Sequence, residues 1–128
     1  MILLDENFPE SQRQLLKAWR VPVRQIGVEI SRKGIQDEEI ILLLLRFRNP
    51  TFFTLDDDFY SLSLCHARYC LIFVDVAQYE SAAFVRRFLR HKDFDTEAKR
   101  RETFIRLSHA GIFLWLLHSQ KEVHQNWE

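Results

Sequence analysis

Glycine and proline are scarce, at three residues each in a chain of 128, which excludes a collagen-like repeat and leaves no Pro/Gly-rich linker. Two cysteines are too few for a disulfide framework. Cys65 and Cys70 flank His66 at a C-x4-C spacing, which offers at most three zinc ligands, and they read as packing residues kept reduced in a cytoplasmic setting. No apolar run approaches the roughly 18 residues that a membrane span needs. The opening MILLDENFP also lacks the basic n-region and the long apolar h-region of a signal peptide, so the expectation is a cytoplasmic protein without membrane attachment. Net charge is absent too: 18 basic residues balance 18 acidic ones, so no overall field draws in a polyanion. There is no glycine-rich phosphate loop. His66, His91, His109, His118 and His124 lie scattered without metal-ligand spacing, and Cys65 sits in no recognisable nucleophile turn, which leaves Ser/His/Asp and Cys/His catalysis unsupported.

What is present is ordinary globular material for one domain over residues 1–128: 47% apolar residues, 28% charged, and eleven phenylalanines that predict an aromatic-rich core. Residues 1–4 read as a buried strand stopped by Asp5-Glu6-Asn7. Pro9 suits the first turn of a helix that runs to about Arg20, with Leu15, Leu16 and Trp19 on one face. Residues 21–26 alternate as a second strand. Asp37-Glu38-Glu39 then lead into a helix carrying six consecutive apolar residues at 40–45, a pattern that calls for burial on both sides or for an oligomer contact. Asn49-Pro50 breaks that helix before a third strand at 51–54 and a short helix at 59–64. A fourth strand follows at 70–76, helical patterns at 79–91 and 97–109, and a fifth strand at 112–117. The tail from 120 onward has no clear pattern. Strands alternating with helices, and strands that are apolar almost throughout, predict an α/β fold with a mainly parallel five-stranded sheet covered on both faces, in the order 2-1-3-4-5.

In such sheets ligands bind beyond the carboxyl ends of the strands, and acids collect there in this chain. Asp5 ends the first strand, TLDDDF at 54–59 puts Asp56, Asp57 and Asp58 after the third, and Asp37 opens the intervening helix. Residues two apart point the same way in extended chain, so Asp56 and Asp58 are expected to face one point with Asp57 turned away. Carboxylates forced together raise one another's pKa unless a cation sits among them, and magnesium or manganese suits such all-oxygen ligands. The competing structural account is capping, with Asp37 and Asp56 as helix N-caps and Asp5 as a strand terminator.

LLDEN at 3–7, GIQDEEI at 34–40 and TLDDDF at 54–59, in this order, resemble the compact bacterial PIN-like domains, relatives of the PIN nucleases and of the toxin halves of VapC-type toxin–antitoxin pairs. The resemblance covers the first 60 residues. It implies a three-layer α/β/α PIN-like fold and a ribonuclease that hydrolyses RNA phosphodiesters with magnesium or manganese and without a covalent intermediate. Asp5, Asp37, Asp56 and Asp58 would be the metal-binding catalytic acids, with Asn7 and Thr54 as supporting polar positions and Glu6 adjacent to them. The implied partners are RNA and an antitoxin protein.

Residues 86–106 carry eight cations against four carboxylates, a local excess of +4, and Arg86, Arg87, Arg90 and Arg100 could track an RNA backbone. The competing account is a solvated helix face. Two further functional readings stand beside the nuclease: an inactive PIN-like module that binds a protein through the apolar helix at 40–45, and a receiver-like domain with Asp56 as phosphoacceptor and Asp5-Glu6 as its magnesium pair. The receiver reading needs a hydroxyl residue after the fourth strand and a lysine after the fifth, where the chain offers only the more distant Ser81 and Lys121.

Overall fold

Leu3 and Leu4 are both fully buried, one on each face of strand β1 (Ile2–Leu4). Such a strand must lie inside a sheet covered on both sides, and the computed structural model, which describes residues 1–116 and 121–128, places it there. β1 pairs in parallel with β2 (Val23–Gln25) on one side and with β3 (Thr51–Thr54) on the other. β4 (Cys70–Val74) and β5 (Thr103–Ser108) continue the parallel run, and β6 (Gly111–Leu116) and β7 (Val123–Gln125) extend it antiparallel. The sheet is therefore seven-stranded and mixed, in the order β2-β1-β3-β4-β5-β6-β7, and not the five mainly parallel strands expected, although the α/β class holds.

Both extra strands lie where the sequence was misread. Residues 103–108, expected to be helical, form β5, and the unassigned tail supplies β7. Phe104 and Ile105 pack on opposite faces of the sheet, and a strand covered on both faces is apolar nearly throughout, which blurs its difference from a helix. The expected fifth strand is β6, the second arm of a hairpin. Its first residue, Gly111, has φ +138, and a Cβ there would come within 2.4 Å of the Gln125 carbonyl oxygen in β7. That close approach requires glycine.

Helices α1 (Glu10–Ala18) and α3 (Ser81–Leu89) cover one face, where Leu16, Ala82, Val85 and Phe88 meet Leu4, Phe53, Ile72 and Ile105. Helix α2 (Asp37–Leu44) and two short 3-10 turns, Asp57–Phe59 and Leu62–Leu64, cover the other face over Leu3, Phe52, Leu71 and Phe104. The expected helix at 59–64 is thus only these turns. Helix α2 does not lie deep in the fold: Ile40 and Leu44 are buried, but Leu42 is 62% exposed. A last short helix, α4 (Glu97–Arg100), precedes β5. Cys70 is buried with its thiol 3.1 Å from the Thr103 hydroxyl, and both cysteines are free, in keeping with packing roles. Among the described residues, no helix is long and apolar enough to cross a membrane.

Phe53, fully buried, meets the Phe88 ring edge-on at 6.0 Å and so joins β3 to α3. Truncating it to alanine should cost about 3–5 kcal/mol in denaturant unfolding. The equally apolar but exposed Leu42→Ala should stay within about 0.5 kcal/mol of the parent.

Candidate metal centre

The chain leaves β1 through α1 to reach β2, then crosses through α2 to β3 on the far side of β1. The crossovers diverge between β1 and β3, which is where an α/β sheet opens a crevice at its carboxyl edge. Asp5 and Thr54 stand at that point. The Asp5 backbone N–H donates to the Phe53 carbonyl at 2.9 Å, carrying the ladder one residue past β1. The Thr54 hydroxyl, fully buried, donates to Asp5 Oδ2 at 2.6 Å and accepts from the Asp56 N–H at 3.0 Å. The Glu6 N–H donates to Asp5 Oδ1 at 2.7 Å. Asp5 is buried, yet each of its oxygens keeps one donor and a further lone pair.

Close enough for their charges to act on Asp5, Asp37 and Asp56 converge with Asp58, each of the three offering a carboxylate oxygen within 4.8 Å of the others. Asp57 is exposed and outside the group, as expected, but Asp57–Phe59 is a 3-10 turn and not extended chain, so Asp56 and Asp58 are drawn together by the cap between them. The capping account divides here. Asp56 is an N-cap, accepting from the Asp58 N–H at 2.9 Å through Oδ1. Asp37 is not: Gln36 occupies the N-cap of α2, its N–H donating to Glu39 Oε1 at 3.5 Å, and Asp37 is the first helical residue. Its carboxylate is left to face the other acids.

The cost of this crowding shows in the acidities. Burial raises the pKa of Asp5 above the ordinary 3.8, the hydrogen bonds from Thr54 and Glu6 pull it part of the way back, and the charges of Asp56 and Asp37 push it up again. Asp37 is raised as well, by burial and by Asp56, Glu38 and Asp58. No lysine or arginine forms an ion pair with any of the four acids among the described residues.

The triad can hold a metal ion. Ligands at about 2.1 Å from an octahedral ion are separated by at most about 4.2 Å, close to the bound of 4.8 Å within which these oxygens lie. An all-carboxylate donor set on a solvent-facing edge fits a hard divalent cation that keeps several waters. Against protein-family models, curated proteins and solved structures, the chain finds no match. The reading of this centre rests on its geometry.

Asp5, expected as a ligand with the other three, is outside the group whose oxygens lie within 4.8 Å of one another, and it is linked to Asp56 through Thr54. Thr54 has the supporting place expected of it. Glu6 turns away, both of its carboxylate oxygens accepting from the Gly34 N–H at 2.9 and 2.8 Å, so it ties the turn after β1 to the loop before α2. That leaves Asp5 and Glu6 without the shared focus a receiver site would need, and Ser81 is spent on the Gln78 carbonyl at 2.7 Å. Asn7 is exposed in the same turn.

Gln25 was missed. Its buried side-chain amide donates to the carbonyls of Asp5, Glu6 and Phe8 at 3.0, 3.2 and 2.9 Å, clamping the turn that presents Asp5. The only signal was a glutamine at an inward position of a strand alternating Val23, Arg24, Gln25.

Of the expected RNA-contacting arginines, Arg100 must be withdrawn. It is buried, with Nε donating to Thr51 Oγ1 at 3.0 Å and a terminal nitrogen to the Phe94 carbonyl at 2.9 Å, and burial lowers its pKa. Arg86, Arg87 and Arg90 lie at the end of α3, which runs back from the carboxyl edge and so carries them away from the acids.

A buried acid with a raised pKa costs folding nothing below pH 3.8, where it is protonated folded or unfolded, and costs most above its folded pKa. In chelator, the melting temperature of Asp5→Asn relative to the parent should therefore climb as pH rises from 3 toward 7, about one proton's worth of linkage. A flat difference would mean that Asp5 carries no such penalty. Thr54→Val should weaken manganese binding by about 10- to 100-fold in calorimetry while the fold persists.

Proposed function

We propose that this protein is a magnesium- or manganese-dependent endoribonuclease of PIN-like type, acting as the toxin component of a toxin–antitoxin pair in the cytoplasm. The observation that carries the reading is the convergence of Asp37, Asp56 and Asp58 near the buried Asp5 at the switch point of the sheet. A carboxylate cluster of this kind is unfavourable by itself and becomes favourable around a divalent ion.

Asp37, Asp56 and Asp58 would hold the ion, and Asp5 would supply fixed negative charge behind it. Bound there, a divalent cation lowers the pKa of water and stabilises charge on a phosphodiester undergoing displacement. Thr54 holds Asp5 Oδ2 in one orientation and draws the Asp56 backbone toward it, so the acids keep their places before any ligand arrives. Gln25 fixes the backbone of the turn behind Asp5. The acids offer no nucleophile activated for a covalent route, which favours direct attack by water.

A second reading, a protein-binding module, draws on the exposed Leu42 of α2 and on Leu62, 62% and 50% accessible. Catalysis separates the two. Single-stranded RNA of mixed sequence should be cut when manganese is supplied and left whole in chelator, and Asp37→Asn or Asp56→Asn should slow cutting by at least about 100-fold with the fold retained. If both variants cut as the parent does, these acids are not the site. If no RNA is cut under any metal, the binding module becomes the better reading.

A further inference from the structure

Five of the 18 lysines and arginines form carboxylate ion pairs among the described residues. Arg13 pairs with Glu10 and Glu29, Lys17 with Glu29, Arg32 with Glu39, Lys99 with Asp95, and Arg106 with Asp75 and Glu122. Arg86, Arg87 and Arg90 share the lack of a carboxylate partner with other arginines among the described residues; they are set apart by the indole rings under two of them and by a common groove. They occupy the last turn of α3 and its C-cap, where the helix dipole favours cations, and line one open groove with Ala83, His91 and Trp127.

Two of the guanidiniums are laid on indole rings. Arg86 sits 3.7 Å above the Trp19 ring at the end of α1, and Arg87 sits 4.5 Å above the Trp127 ring. Trp127 is itself fixed, its indole N–H donating to the Ser108 carbonyl at 2.7 Å and its ring meeting Phe84 edge-on at 5.6 Å. An arginine stacked this way keeps its outward N–H donors free and loses little freedom on binding an anion. Three unpaired arginines in a row with flat aromatic surface beside them suit a flexible phosphate backbone better than a single small anion.

We propose that the end of α3, with Trp127, is a cradle for the phosphate backbone of single-stranded RNA, lying apart from the acid centre. The choice of RNA among polyanions rests on reading that centre as a ribonuclease site. The nine residues of α3 span only about 13 Å, so a short strand can lie on the arginines and still reach the carboxyl edge. The carboxylate triad repels phosphate when no cation is bound, and a basic surface elsewhere gives the strand its hold.

The test is fluorescence anisotropy of a labelled oligouridylate with the full chain in excess chelator, where the acid centre contributes no cation. The parent should bind, and binding should weaken steadily with potassium chloride. Replacing Arg86, Arg87 and Arg90 together with glutamine should lower affinity by about tenfold or more and flatten the salt slope by about 2, the share of three phosphates on a single strand. Asp37→Asn should bind RNA no less tightly than the parent. Retention of affinity by the circular-dichroism-checked triple variant overturns the cradle, even if RNA is cleaved normally at the acids. Binding that survives where no RNA is ever cleaved upholds the cradle and removes only the nuclease reading. Should the triple variant not fold, the exposed Arg87→Glu serves instead, and unchanged binding by it is equally fatal. Binding of polyglutamate but not RNA would assign the surface to an acidic protein and also overturn the proposal.

Discussion

A three-residue strand buried on both faces is the constraint from which the rest of this architecture follows. β1 has only Ile2, Leu3 and Leu4 with which to hold its place between β2 and β3. Leu3 and Leu4 belong to opposite cores, so both faces must be roofed, and the two crossovers from β1 and β2 must take different sides. Once α1 covers one face and α2 the other, the loops after β1 and β3 are left facing an open crevice. The place of the acid centre is therefore a consequence of packing. A shift of β1 by one residue would exchange Leu3 for Leu4 and turn Asp5 away from Thr54.

The crevice is built around a chain of hydrogen bonds that runs from the Asp56 N–H to Thr54 Oγ1 and on to Asp5 Oδ2. A buried carboxylate is tolerable only with donors, and here each oxygen has one. The same bonds leave Asp5 raised in pKa, since burial and the charges of Asp56 and Asp37 outweigh them. Capping and ligand roles are also not exclusive. Asp56 spends Oδ1 on the Asp58 N–H and still belongs to the converging triad, because a carboxylate has more acceptor sites than one cap consumes.

The strands that flank this centre could be read from sequence because they are short, apolar and followed at once by acids. Asp5, Asp56 and Asp58 were visible for the same reason, since charge after an apolar run is a strong local contrast, and Asp37 because it opens a helix of apolar residues. β5 was hidden because Lys99, Arg100, Arg101 and Glu102 give way to FIRLS without a turn residue, and a strand covered on both faces lacks the alternation that marks a half-exposed one. The pair of apolar runs around Ser108-His109-Ala110-Gly111 was the available hairpin signal. Gln25 and Arg100 were beyond reach for another reason. Polar residues on short elements are buried or exposed according to partners far along the chain, such as Phe8 for one and Thr51 for the other.

A net charge of zero conceals two charge excesses that the fold keeps apart. The chain has enough arginine to neutralise its aspartates, yet the sheet polarity sets them at opposite ends: loops after strands collect the acids, and the helix returning from β4 carries its arginines to the other edge. Exposed charges gain little from pairing in water, so leaving Arg86, Arg87 and Arg90 open costs folding little. Leaving acids around a buried Asp5 costs more, as the raised pKa of Asp5 and of Asp37 shows. The two excesses are thus unequal in physical meaning. The acid cluster carries raised pKa values at Asp5 and Asp37 and offers three converging carboxylates, whereas the arginine surface gains its significance from the aromatic rings that hold it in place.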